Sequence, residues 1–210
     1  MITVKVAVAA IVALASASVA ARPVSYPGGL TAIQELDPMM GSLLIHYTPD
    51  RSWSVGARAL TMRDSGWSMA GAQGSWLAKR WNMPGAQANI YLSGMLGAAW
   101  EDGKTPNPGG FAEIQADWET RRFMLMGMAR LTHAERIETG DMQMIRAGFA
   151  PWVGDYGDIH LWLFGQVMRD STTADSIQPG LVARIFYRTM LVEAGVTDRG
   201  GLILNSTFRF

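Results

Sequence analysis

From residue 29 to the last residue, apolar side chains recur at every second position in short runs separated by Gly, Pro, Asp and Asn. That period of two belongs to β-strands with one apolar face. Twelve strands are predicted, at about 29–36, 42–48, 52–62, 66–80, 87–100, 110–119, 122–135, 142–153, 158–169, 177–187, 190–197 and 202–210. Ten is the alternative count, if 29–48 folds differently. In the seventh strand Phe123, Leu125, Gly127, Ala129 and Leu131 form one row, and Arg122, Met124, Met126, Met128 and Arg130 form the other. A charge facing lipid at the bilayer centre costs about 2–4 kcal/mol, so the first row faces hydrocarbon and the second an enclosed lumen. The ninth strand divides the same way, with Leu161, Leu163 and Val167 outward and His160, Gln166 and Met168 inward. The fold class predicted is all-β, an antiparallel up-and-down barrel spanning a membrane.

An even strand number brings both chain ends to one side. The connections on that side, 48–51, 81–86, 120–121, 154–157 and 188–189, read as short. The longest, 101–109, 136–141 and 170–176, fall on the other side, as barrels of this kind require. Turn length then predicts partners. A turn at 188–189 sets Tyr187 opposite Met190 and Arg184 opposite Glu193. A turn at 120–121 sets Glu119 opposite Arg122, Asp117 opposite Met124 and Glu113 opposite Met128. The loop read at 136–141 separates Met142 and Met144 from Met128 by roughly 26 Å along the strands.

Composition agrees with this partition. Half the 210 residues are hydrophobic and 17% are charged, yet no stretch after residue 21 has the 18 or more uncharged apolar residues of a spanning helix. Residues 1–21 read as a cleaved secretory signal peptide: Lys5, then an apolar segment from Val6 to Ala15, then small residues ending at Ala21. Residues 22–210 form the single barrel domain. Losing Lys5 with the leader leaves 17 basic and 18 acidic residues, a balance that argues against nucleic acid as a partner. There are no cysteines, hence no disulfide and no thiolate metal site. No cofactor is expected.

Trp53, Trp76, Trp100, Trp118, Tyr187, Phe208 and Phe210 point outward near strand ends, where interfacial aromatic girdles sit. The chain stops on Phe208-Arg209-Phe210. With the leader and the strand rhythm, that ending resembles the outer-membrane β-barrel proteins of Gram-negative cells as a class. The resemblance implies location in the outer membrane, contact with its lipid, and recognition of Phe208 and Phe210 by the barrel assembly machinery. Ser206 departs from the apolar residue usual in that terminal tag.

Three chemistries are open for the lumen. Arg58, Glu113, Asp117, Glu119, Arg122, Arg130, Arg146, Arg184 and Glu193 have lumen parity and suit either a selectivity lining for a small solute or a salt-bridge network filling the barrel. Met124, Met126, Met128 and His160 suggest a soft-metal site for copper or silver, because thioethers favour Cu(I). Methionine is also a flexible filler of irregular interiors. The third reading is a rim hydrolase acting on lipid or peptide. His46, His133 and His160 are its candidates, but no Gly-x-Ser-x-Gly elbow accompanies them.

Overall fold

The computed structural model describes residues 22–155, 157–173 and 176–210. The predicted leader, 1–21, lies outside the described residues. Twelve strands follow in chain order: β1 (Leu30–Leu36), β2 (Met40–Tyr47), β3 (Trp53–Met62), β4 (Trp67–Met83), β5 (Ala86–Glu101), β6 (Asn107–Thr120), β7 (Phe123–Ala134), β8 (Glu138–Phe149), β9 (His160–Asp170), β10 (Ile177–Tyr187), β11 (Met190–Thr197) and β12 (Leu202–Arg209). Each pairs antiparallel with its neighbour in sequence, and β1 closes on β12. Closure leaves no edge, which hydrocarbon would not tolerate.

The terminal aromatic is part of that closure. The Phe210 amide donates to the Leu30 carbonyl at 2.8 Å, and the Leu30 amide donates back to the Phe210 carbonyl at 3.2 Å. Tyr26 adds its hydroxyl to the same Phe210 oxygen at 2.6 Å. Phe208 and Phe210 themselves point outward.

The barrel is inside out relative to a water-soluble domain. Leu96, Leu131, Ile145 and Leu181 are all exposed by at least 65%, while Arg58, Arg130, Arg146 and Arg184 are buried. Apolar side chains on the outer wall meet lipid, so their exposure carries no hydrophobic penalty there. The packed core is the lumen itself.

The β6–β7 turn comprises residues 121–122, not 120–121, because Thr120 still belongs to β6 and its hydroxyl accepts the amides of Arg122 and Phe123 at 3.1 and 2.8 Å. The register therefore shifts by two: Glu119 faces Met124, Asp117 faces Met126, and Glu113 faces Arg130. A shift of two preserves the faces, since side-chain direction alternates with period two.

The β7–β8 connection is shorter than the polar run from 136 to 141 suggests. Arg136 adopts the left-handed conformation at φ 61°, Glu138 already begins β8, and Met128 stands opposite Met144. The predicted separation of Met142 and Met144 from Met128 is thereby overturned.

At its other end β8 stops at Phe149, four residues early. Pro151 lacks the N–H a ladder position needs. The connection 150–159 is consequently the longest in the barrel, and it lies on the side of the chain termini rather than opposite them.

Lastly, a bulge in β4 between Leu77 and Lys79 reverses parity. Lys79 turns outward to lie over the Trp81 ring, 5.8 Å from its centroid. Arg80 points inward in its place and donates from Nε to Asn89 at 2.7 Å. Arg188, which the strand alternation would turn inward, sits instead in the β10–β11 turn at φ 53°, over the Tyr187 ring.

Candidate functional site: a lumen with two arginine stations

The strands place eight of the nine charged residues expected in the lumen on the inner wall. Arg122 is the exception. It lies exposed in the β6–β7 turn and donates from Nη2 to the Pro151 carbonyl at 3.0 Å.

The inner charges gather at two aromatic rings. On one wall Phe111 (β6) lies beneath the guanidiniums of Arg58 (β3) and Arg130 (β7), at 5.9 and 4.6 Å from the ring centroid. Arg130 forks onto Glu113 with Nε at 2.8 Å and Nη2 at 2.6 Å. Arg58 reaches Glu35 at 2.9 Å, Ser42 at 3.0 Å and Gln73 at 2.7 Å. Two cations here face two carboxylates.

On the other wall Phe164 (β9) lies beneath Arg146 (β8) and Arg184 (β10), at 5.5 and 4.6 Å. Both donate to one oxygen of Glu193 (β11), at 2.8 Å from Arg146 and 2.6 Å from Arg184. Asn205 binds the second oxygen at 2.7 Å, and Gln166 takes the remaining fork of Arg146. Two cations here share one carboxylate. Guanidinium suits both stations because its flat face stacks on the ring while its edge donates.

Between the stations lies a cavity of about 110 Å³, lined by Arg58, Glu113, Arg130, Arg146, Arg184 and Glu193 among others. Toward the end carrying the termini, the lumen is closed by the segment before β1. Arg22 enters it, pairs with Glu119 and stands 3.9 Å from Asp117. The Pro23 carbonyl accepts the Ser54 hydroxyl at 2.6 Å, and Val24 is buried. Asp117 also accepts from Asn89 at 2.6 Å. Burial opposes the charge on Arg22, yet the carboxylates of Glu119 and Asp117 hold its pKa above the ordinary arginine value.

Toward the opposite end, Met39, Met62, Met69 and Met95 pack with Trp67 and Leu60. Glu138 ties this cap, accepting Trp67 Nε1 at 3.0 Å and the Ser65 hydroxyl at 2.6 Å. In the β1–β2 connection Asp37 accepts the amides of Met39 and Met40, both at 2.8 Å. Burial, assisted by neighbouring Glu35, nevertheless raises its carboxyl to about 6.

Of the four residues expected to hold a soft metal, Met124, Met126 and Met128 lie at alternate positions on the inner face of β7, and His160 stands apart from them. Met124 and Met126 pack with Trp162 and Phe164, while Met128 packs against the cap. His160 stands at the start of β9, its Nε2 3.2 Å from the Asp155 carbonyl and its ring tilted against Phe186. It does not line the cavity. Among the described residues no three of His, Cys, Asp and Glu are placed to hold a metal ion. His46 is buried on the inner wall with neither ring nitrogen hydrogen-bonded among the described residues. His133 contacts the Thr139 hydroxyl at 2.7 Å.

Glu35, Phe111 and Phe164 also belong to the inner wall. All three show inward parity in their strands and were legible by that rule. Arg22 precedes the first strand, and no periodicity announces it.

No protein-family model matches this sequence, and no curated protein does. Among solved structures, KdgM porin aligns with a TM-score of 0.50 at 11% identity, over 87% of this chain and 98% of that one. KdgM porin in complex with disordered oligogalacturonate aligns with a TM-score of 0.53 at 10% identity, with the same coverage. At that identity the likeness is one of architecture: this chain is a closed twelve-strand antiparallel β-barrel with the fold of KdgM porin.

Proposed function

We propose that the barrel is a narrow outer-membrane channel for small acidic solutes, which it takes at the Arg146–Arg184 station. The observation that carries this reading is the unequal charge of the two stations around one cavity. The Phe111 station is neutral within itself. At the Phe164 station two buried guanidiniums share one carboxylate, leaving about one positive charge on that wall of the cavity, while Glu35 and Asp37 line it elsewhere. In a surrounding of reduced dielectric an uncompensated charge attracts an anion far more strongly than it would in water. KdgM porin has been captured with oligogalacturonate, an acidic carbohydrate, and the shared architecture supports a solute of that chemical class here.

The cavity of about 110 Å³ holds only a few waters, so passage requires the residues at the terminal mouth, Arg22 to Val24, to move aside. Solute flow is consequently narrow and selective rather than porin-wide.

Planar bilayers test the reading. Purified barrel in a salt gradient should give discrete openings with a reversal potential favouring anions, and Arg146→Gln should move that potential toward cations. Bilayers that stay silent, or a reversal potential that Arg146→Gln leaves unmoved, overturn it.

A further inference from the structure

We propose that Met128, Met144 and Met168 form a thioether site for a soft monovalent metal ion, Cu(I) or Ag(I), in the wall of the lumen. The three residues occupy neighbouring strands β7, β8 and β9. Met144 stands directly opposite Met128 on one side and Met168 on the other. Residues so paired on one face of a sheet have Cβ atoms about 4.5–5.5 Å apart. All three line the same central cavity. The flexible arms of methionine let three sulfurs converge on one point within such a row. Met126 and Met142, each two residues from a member of the row on the same face, line the cavity as well.

Met168 belongs to the same packed cluster as the cap, with Met128 and Met144 against it, but these three also face the cavity. Met62, Met69 and Met95 are enclosed in the cap and do not line the cavity. Elsewhere on the inner wall, apolar positions carry Leu44, Leu60, Leu191 and Ile203. Of the described methionines only Met83 and Met190 are exposed. The row therefore places soft donors side by side where a ligand from the lumen can reach them.

The electrostatics select the ion. Thioethers are neutral and soft, and they favour Cu(I) or Ag(I) over hard divalent ions. The nearest guanidiniums, Arg130 and Arg146, are bound to Glu113 and Glu193. Arg130 is compensated by its own carboxylate, whereas Arg146 shares Glu193 with Arg184 and opposes a cation; a single positive charge meets that opposition at half the cost of a double one. Neither His46 nor His160 lines the cavity, so no imidazole takes part. The site stands whether or not the lumen conducts.

Titration of the folded, detergent-solubilised barrel with Ag(I), and with Cu(I) buffered by a competing chelator, tests the assignment. One ion should bind per barrel. Met144→Leu, close in volume, should weaken binding at least about tenfold. Met168→Leu should do the same if the first variant does not fold, and Met62→Leu should leave affinity unchanged. Because thioethers carry no proton, affinity should stay level between about pH 5 and pH 8. The assignment is overturned by a wild-type barrel that binds no ion, by row variants that bind as wild type, by an equal loss in Met62→Leu, or by an affinity that falls through the histidine range.

Discussion

The two arginine stations use the same parts and differ in one. At each, two guanidiniums lie over a phenylalanine, the nearer at 4.6 Å and the farther at 5.5–5.9 Å. At Phe111 each arginine has its own carboxylate, Glu35 or Glu113. At Phe164 both depend on Glu193. Duplicated partners make a station tolerant, because either pair survives loss of the other. A shared partner makes it brittle and leaves positive charge over. The tolerant station serves as a strut, while the brittle one carries the field a solute would feel.

Removing the shared partner should give the largest effect. Glu193→Gln strands two buried cations, and breaking a buried pair by deleting one member costs about 3–5 kcal/mol. Glu113→Gln should cost clearly less, because Arg58 keeps Glu35. Urea unfolding of the two variants from liposomes measures the gap. Equal losses would show that the stations are equivalent and dissolve the distinction.

A middle-sized effect is expected at the rings. Phe164→Leu removes two cation–π contacts at about 0.5–2 kcal/mol each, and Phe111→Leu removes the same number. If shared compensation makes the Phe164 station brittle, its variant should lose more stability in the same unfolding experiment.

The smallest effect concerns the β1–β2 connection, next to the tolerant station. Asp37 has its folded carboxyl raised to about 6 from an ordinary value of 3.8, chiefly by burial. A raised pKa means that the folded state binds the proton more tightly than the unfolded one. The stabilisation is complete below about pH 4 and fades as pH rises through about 6. Hydrogen exchange at the Met39 and Met40 amides should therefore slow as pH falls across that window, after correction for intrinsic rates. Asp37→Asn should abolish the trend.

The hairpins show how far sequence reaches. At β10–β11 the turn at 188–189 led to Arg184 opposite Glu193, and that is the register observed. At β6–β7 the same reasoning missed by two residues, because Thr120 both extends its strand and caps the turn. The two-residue error sets Glu113 opposite Met128 instead of Arg130 without changing any residue's face. It also concealed the ion pair that holds the Phe111 station. The Met128–Met144–Met168 row was hidden for a related reason: a polar run that reads as loop is strand as far as Glu138.

What the sequence determined alone was local in origin. Alternation with period two assigns side chains to lipid or lumen wherever no bulge interrupts the strand, and counting turns yields twelve strands. Both depend only on neighbours along the chain. Closure decided the rest. Arg22 meets Glu119, and Arg146 meets Glu193, across separations of 97 and 47 residues. Such partners are set by strand register and barrel stagger, which accumulate around the ring from every turn. One turn misread by two residues leaves the faces intact and changes which charges touch.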